Sequence, residues 1–224
     1  MGPAAGRSGS ARIARPQPSR LRGAGPPGFG FTRWAYKDWL VGELEKEADP
    51  VHLVAHDQGA IIGQGLVLER PVLVASFVFG DAVADDDYHW HTEARVFQTA
   101  ELGERSVAGM AAMTVKEWAS MLESYGGAPP EYAEEMARGM DARMYEAMLK
   151  LYRSEPSMAD WAIDPDRTYP PSLILWGNRD PGQDPSFGRR AAEAYGGRFA
   201  EIDSGHFWML ERPREAAQLI RAFW

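Results

Sequence analysis

Residues 51–60 read VHLVAHDQGA and bring an acidic side chain to a junction between a strand and a helix. An apolar run leads into a turn of small residues that presents Asp57, with Ala55 and Gly59 two positions away on either side. Small residues there let the backbone pass closely beneath the central side chain, as in a small-x-nucleophile-x-small elbow. Because a carboxylate is ionised at neutral pH, Asp57 is placed to attack an electrophilic carbon and form an ester.

Apolar periodicity and stop signals predict the elements that must position Asp57. The first half of the chain is predicted to contain a helix over 34–47 ended by Asp49-Pro50, a strand over 51–54, a helix over 60–69 and a buried parallel strand over 72–79. The last part is predicted to contain a strand over 172–176, a helix over 187–195, a strand over Arg198–Ile202 and a helix over 212–223.

Residues 82–168 are rich in Met, Ala and Glu and show no strand signal. Thr114 and Glu117 form a predicted capping box for a helix that runs to about 122. A second, continuous helix is predicted over 131–153, with methionines along one face that we interpret as packing or, alternatively, as the lining of an apolar pocket. We therefore expect an α/β fold: a parallel sheet flanked by helices (31–81 and 169–224) carrying an inserted helical cap (82–168).

Composition narrows the function classes. The 224 residues carry a net charge of −8, which argues against a nucleic-acid partner, and no apolar run approaches the ~20 residues of a membrane span. The absence of cysteine excludes disulfides and thiol chemistry and fits a reducing compartment, so we expect a cytoplasmic protein. A small apolar organic substrate is the partner that this composition accommodates most easily.

Three segments occur in a characteristic chain order: the AHDQG elbow, the run LILWGNRDP that contains Asp180, and DSGH, which ends at His206 and is followed by ERP. This set resembles the α/β-hydrolase family, and the elbow is similar to that of the aspartate-nucleophile branch, which contains epoxide hydrolases and haloalkane dehalogenases. The resemblance covers about residues 27–224. It implies that Asp57 is the nucleophile, His206 the general base and Asp180 the acid that orients the imidazole.

In this chemistry an alkyl ester on Asp57 is cleaved by water. His206 would take the proton from that water, and Asp180 would fix the tautomer of His206 and stabilise its charged form. The backbone N–H of Gln58 is one donor for the oxyanion that develops on the Asp57 carbonyl. Neither a metal nor a cofactor is required.

Each residue also has a structural interpretation. Asp57 could cap the following helix, Asp180 could be a turn residue before Pro181, and His206 could be a packed histidine. We interpret His56, which precedes the nucleophile, as support for the elbow.

The leaving group separates the subfamilies. Opening an epoxide needs an acid on the oxygen, and by resemblance Tyr152, within Leu-Tyr-Arg, is the candidate donor from the cap. A halide instead needs N–H donors; Gln58 stands where dehalogenases often have Trp, and Trp90 or Trp161 could assist. We favour epoxide opening, with dehalogenation as the alternative.

The run DDDYHWH at 85–91 combines carboxylates and histidines, the ligand types that divalent cations take. We interpret it as an exposed acidic loop at the entrance to the cap rather than as a metal site.

Residues 1–30 are Gly-, Ala-, Pro-, Ser- and Arg-rich with no acid, and we expect them to be disordered. The strands and the His-Gly-x-Pro-like loop that precede the elbow in the family are not visible, so we expect an N-terminally truncated member. The strand at 51–54 would then have an exposed edge, through which we expect a homodimer. A truncated, catalytically impaired remnant is the competing hypothesis.

Overall fold

The computed structural model describes residues 28–85, 87–182 and 184–224; the disorder expected for residues 1–30 therefore falls outside the described part, except at 28–30. Its strands form one parallel sheet in the order β1-β2-β3-β4: β1 (Val51–His56), β2 (Val74–Gly80), β3 (Ser172–Gly177) and β4 (Arg198–Ile202). Neighbouring strands are consecutive in sequence, and each connection carries at least one helix, as parallel pairing requires.

The helices are α1 (Arg33–Leu44), α2 (Gln58–Glu69), α3 (Thr92–Gln98), α4 (Leu102–Ala111), α5 (Val115–Gly126), α6 (Pro130–Arg138), α7 (Ala142–Arg153), α8 (Pro185–Tyr195), α9 (Trp208–Glu211) and α10 (Pro213–Phe223). Helices α3 to α7 lie between β2 and β3 in the chain, within the segment that is predicted to form a cap. The predicted α/β class, with a parallel sheet flanked by helices, is confirmed.

One predicted element is wrong. The continuous helix expected over 131–153 is two helices, because the chain breaks at residues 139–141 and starts again at α7. The Asp141 side chain accepts a hydrogen bond from the Met144 N–H and so caps the new helix. The capping box of Thr114 and Glu117 is present as predicted, at the start of α5.

The core lies on both faces of the sheet. Phe77 and Trp176 have no exposed surface, and Phe79 stacks on Phe77 with ring centroids 4.4 Å apart. Five methionines pack around Trp118 and Tyr145: Met110, Met113, Met121, Met140 and Met148. Met140 and Met148 belong to the predicted methionine face, so packing is confirmed for these two.

The edge of the sheet at β1 is open in the described part of the chain, where β1 pairs with β2 alone. Val54 is 45% exposed there, and an apolar groove of about 320 Å³ runs between β1 and α10. No helix among the described residues combines the length and apolar character that a membrane span requires.

Candidate active site

Asp57 lies in the turn between β1 and α2 with φ of 52° and ψ of −130°, a conformation that L-residues adopt rarely. A backbone hydrogen bond from the Asp57 N–H to the Gly80 carbonyl, at 2.9 Å, anchors the turn to the end of β2. The side chain makes no capping hydrogen bond to α2 and is 44% exposed. The helix-cap interpretation therefore lacks its defining contact, and the carboxylate is open to a ligand.

The first turn of α2 supplies backbone donors beside this carboxylate. Its first hydrogen bonds run from the N–H groups of Ala60 and Ile61 to the Asp57 carbonyl. The N–H groups of Gln58 and Gly59 precede these bonds and lie outside the helical ladder, at the positive end of the helix dipole. This is where the sequence predicts an oxyanion donor at Gln58.

The structure brings the three predicted triad residues together. His206 Nδ1 lies 2.7 Å from Asp180 Oδ2, and His206 Nε2 lies 4.0 Å from Asp57 Oδ2. Asp180 is buried and also accepts a hydrogen bond from the Gly182 N–H at 2.8 Å, so its turn role and its contact with His206 coexist. Because 4.0 Å is too long for a hydrogen bond, Nε2 is not bonded to Asp57 and faces the space in front of it.

Two glycines allow the loop that carries His206 to approach β3. A Cβ added at Gly177 would lie 2.3 Å from the Gly205 carbonyl oxygen, and one added at Gly205 would lie 2.7 Å from the Gly126 carbonyl oxygen in the cap. Arg179 reinforces this junction through ion pairs with Asp203 at 2.7 Å and Glu211 at 2.6 Å. Position 206 is thus fixed by the ends of β3 and α5 as well as by its own loop.

Carboxylates surround the imidazole of His206. Burial lowers the pKa of His206, but the hydrogen bond to Asp180 and the negative charges of Asp57, Asp180 and Asp81 outweigh it and raise that pKa to about 9. The imidazole is therefore mostly protonated at neutral pH.

A second His–Asp pair lies directly behind His206. His56 Nε2 is 2.8 Å from the His206 carbonyl oxygen and 3.2 Å from Asp81 Oδ2. Asp81 is fully buried and accepts a hydrogen bond from the Gly177 N–H, and burial raises its pKa. His56 thus contacts both the His206 backbone and Asp81, which agrees with the predicted supporting role. Asp81 was not predicted as a site residue, and the one sign of it in the sequence was its position directly after β2.

These residues also form the one metal-competent group in the described ranges: ligand atoms of His56, Asp81 and His206 lie within 4.8 Å of one another. All three are already joined by hydrogen bonds to protein groups. The described members of the run at 85–91 form no such group. There Tyr88 and Trp90 are buried, and His91 caps α3.

Comparison with known proteins shows to which family the chain belongs. The sequence profile described as "Alpha/beta hydrolase family" matches residues 9–219.

The chain belongs to the α/β-hydrolase family.

Solved structures share the fold at low sequence identity. A point mutant of an epoxide hydrolase from Bacillus megaterium is 17% identical, with a TM-score of 0.67 over 87% of this chain and 76% of that one. A hydrolase from Pseudomonas aeruginosa is 20% identical, with a TM-score of 0.65 over 86% and 71%. A thermophilic esterase from Thermogutta terrifontis is also 20% identical, with a TM-score of 0.64 over 86% and 71%. No curated protein sequence matches.

In this α/β-hydrolase the candidate leaving-group donor, Tyr152, lies on α7 above the elbow. Its ring packs edge-on against Trp90, with centroids 5.4 Å apart, and lies 5.3 Å from Phe97. Burial, with the charge of Asp57, raises the pKa of the Tyr152 hydroxyl far above its usual value, and the Gln58 side chain lowers it in part by hydrogen bonding. Tyr152 therefore stays protonated over the whole physiological range.

The donors considered for a halide are placed differently. Trp90 Nε1–H donates to the Glu155 carbonyl oxygen at 2.6 Å, so this indole is already bonded within the cap. Trp161 packs on Trp34 and on the Arg33 guanidinium, whose carbon lies 4.6 Å from each indole centroid. To assist a halide, as predicted, Trp90 would have to release its hydrogen bond to the Glu155 carbonyl oxygen.

Glu155, which follows α7, was not predicted as a site residue. It has no exposed surface, and burial raises its pKa to about 8, against the lowering effects of Arg33 and of hydrogen bonding from Gln58. The charge of Asp57 raises the pKa of Glu155 further. The burial of this carboxyl and the effect of Asp57 on it depend on residues that are distant in the sequence.

Proposed function

We propose that this α/β-hydrolase opens epoxides, or similar small apolar carbon electrophiles, through an alkyl ester on Asp57. The observation that carries the proposal is the strained Asp57 turn with the His206–Asp180 pair facing it, Nε2 being 4.0 Å from the carboxylate. A carboxylate can displace a leaving group at saturated carbon without prior deprotonation, whereas a serine would need a base first.

In the first step an Asp57 oxygen attacks one epoxide carbon. The new ester C–O bond forms as the ring C–O bond breaks, and the released oxygen takes a proton from the cap. Tyr152 is the donor in this proposal, because its hydroxyl is protonated and the charge of Asp57 raises its pKa. A positioned acid of this kind typically contributes ~10² to 10⁴ in rate.

In the second step water attacks the ester carbonyl and gives its proton to His206. This requires neutral His206, and esterification supplies it: the negative charge of Asp57, one cause of the raised pKa, is lost when the ester forms. The pKa of His206 then falls, and the imidazole becomes a base at the stage that needs one. Collapse of the tetrahedral intermediate expels the alkoxide of the diol, which takes the proton back from His206.

An oxygen leaving group fits the cap better than a halide does. Tyr152 offers an O–H near Asp57, while the Trp90 indole N–H is bonded elsewhere. The fold shared with the Bacillus epoxide hydrolase agrees with this choice, and the fold shared with the esterase shows that the scaffold alone does not decide it.

The test traps the ester. His206→Gln keeps a polar side chain of similar reach but provides no base, so incubation with styrene oxide is expected to leave a stable adduct on the peptide that contains Asp57, seen by mass spectrometry. Wild type under the same conditions is expected to release diol and retain little adduct.

The matched control is His206→Gln with Asp57→Asn, which is expected to give no adduct. Folded His206→Gln protein that remains unmodified by styrene oxide and by a primary alkyl bromide would support the catalytically impaired remnant instead. An adduct with the bromide alone would favour dehalogenation.

A further inference from the structure

Glu155 lies at a fixed position between the cap and the elbow. Its N–H donates to the Tyr152 carbonyl oxygen at 3.2 Å, and its own carbonyl oxygen accepts from Trp90 Nε1–H at 2.6 Å and Gln98 Nε2–H at 2.9 Å. The backbone is therefore held on three sides, which leaves the side chain little freedom to move to solvent.

The carboxyl group of Glu155 is an unusual buried group. Neither oxygen makes a well-formed hydrogen bond to any described residue, and the same holds for Gln58 Oε1, which is also buried. The polar neighbours of the Glu155 carboxyl are the Arg33 guanidinium, whose Nε is also buried without a partner, and the Gln58 side chain, which neighbours the Tyr152 hydroxyl as well. Unpartnered polar atoms of this kind are costly, so the three on Glu155 and Gln58 call for a shared explanation.

The protonation state of Glu155 supplies that explanation. Its charged neighbours are Arg33 on α1, which favours the ionised form, and Asp57 at the elbow, which disfavours it; burial dominates both and holds the group neutral at pH 7. A neutral carboxylic acid carries one O–H donor and one carbonyl acceptor, which complement the acceptor and donors of a primary amide. An ionised carboxylate has no donor for Gln58 Oε1.

We propose that neutral Glu155 is a positioning residue: its O–H donates to Gln58 Oε1 and holds the amide so that an amide N–H donates to the Tyr152 oxygen. With that oxygen accepting from Gln58, the Tyr152 O–H is left to point at the leaving oxygen over Asp57. The inference rests on the proposed ester chemistry at Asp57 and names the network that directs its proton donor.

The step balances without any further reagent. The Tyr152 proton passes to the substrate alkoxide as the ester C–O bond forms. When the ester has been hydrolysed, Asp57 is left as a carboxylic acid, and its proton returns to the Tyr152 phenolate. Glu155 keeps its own proton throughout and changes only the orientation of the amide and hydroxyl.

The experiment measures the rate of adduct formation on Asp57 in His206→Gln protein with styrene oxide, by quench and mass spectrometry, from pH 6 to pH 9.5. In the parent we expect the rate to fall about tenfold or more, with a midpoint near 8, as Glu155 ionises. His206 has been removed in this background and the pKa of Tyr152 lies far above the range, so neither accounts for such a fall.

Two substitutions separate positioning from structure. Glu155→Gln still pairs with the Gln58 amide but does not titrate, so it is expected to keep the neutral-pH rate within a few-fold and to lose the alkaline fall. Glu155→Leu, which fills the space without polar atoms, is expected to be at least tenfold slower at every pH. Glu135→Gln, on an exposed face of α6, is the matched control and should follow the parent.

An alkaline fall that persists in Glu155→Gln, or a parental rate in cooperatively folded Glu155→Leu, would overturn the inference while leaving the ester chemistry intact. Absence of any adduct in the parent at every pH would instead overturn the proposed function and the inference together.

Discussion

Two ionisable side chains whose pKa values respond to the charge of Asp57 are held in opposite states at neutral pH. Acidic neighbours keep His206 charged despite its burial, whereas burial keeps Glu155 neutral despite Arg33. Sites that push the pKa values of neighbouring groups apart are those that divide acid and base work between them. In the proposed mechanism Asp57 connects both groups, because its charge raises both pKa values and is lost when the ester forms.

The raised pKa of Glu155 predicts a pH-dependent cost in stability. The unfolded chain ionises Glu155 above its ordinary value of 4.5, whereas the folded protein holds the proton to about 8, so stability is lost progressively between those values. Glu155→Gln removes this pH-dependent loss of stability, because glutamine does not ionise. Its free energy of unfolding relative to wild type is expected to rise by about 3 to 5 kcal/mol from pH 4.5 to pH 8.

Urea unfolding of both proteins at several pH values checks this, with Glu135→Gln as the control that should track wild type. A constant difference between Glu155→Gln and wild type across that range would mean that Glu155 is ionised in the folded protein.

At the scale of elements, the site is assembled where strand ends meet loops. Asp57 follows β1, Asp81 follows β2 and Asp180 follows β3, while His206 follows β4. The carboxyl ends of parallel strands lie at one edge of the sheet, which explains how residues so distant in sequence meet. Their separation is then set by how closely the loops approach, which depends on Gly177 and Gly205.

Gly177→Ala tests this approach. Its new Cβ would meet the Gly205 carbonyl oxygen at 2.3 Å, a backbone atom that yields only if the His206 loop moves. We expect a loss of about 2 to 4 kcal/mol in stability and a fall in turnover of about 10²-fold or more, measured by thermal unfolding and diol release.

The matched control is Gly42→Ala in α1, where nothing lies within 4 Å of the new Cβ. It is expected to be neutral or more stable by about 0.5 to 1 kcal/mol, since alanine favours a helix. Wild-type turnover in Gly177→Ala would show that the loop spacing is not set there.

Local patterns predicted the elements well where the signal was itself local. The strand at Arg198–Ile202 has its predicted bounds, and the Thr114 capping box is present. The break at 139–141 was missed because Gly139 and Asp141 lie inside a helical periodicity that continues through them. The contacts of Asp81 and Glu155 were missed for another reason. Segments that are distant in the sequence bury these two residues, and the spacing of residues along the chain does not show such contacts.

At the scale of the whole molecule, the described residues leave the sheet edge at β1 open. An exposed strand edge presents unpaired backbone groups, and the groove beside Val54 is lined mainly by apolar side chains. The expected homodimer through this edge stays a prediction.

Val54→Lys would place a charge on that edge and is expected to shift sedimentation toward the monomer at micromolar concentrations, because charged side chains block edge pairing. Val72→Lys is the control: Val72 is 73% exposed on the turn before β2, away from the edge of β1, and should leave association unchanged. Equal sedimentation of wild type and Val54→Lys would exclude this edge as the interface.

A single turnover of wild-type protein, in excess over styrene oxide in oxygen-18 water, tests whether Asp57 carries the substrate as an ester. If water attacks the carbonyl of Asp57, as proposed, we expect oxygen-18 in the peptide that contains Asp57 and unlabelled diol in the first turnover. Label found wholly in the diol, with none in that peptide, would contradict this proposal.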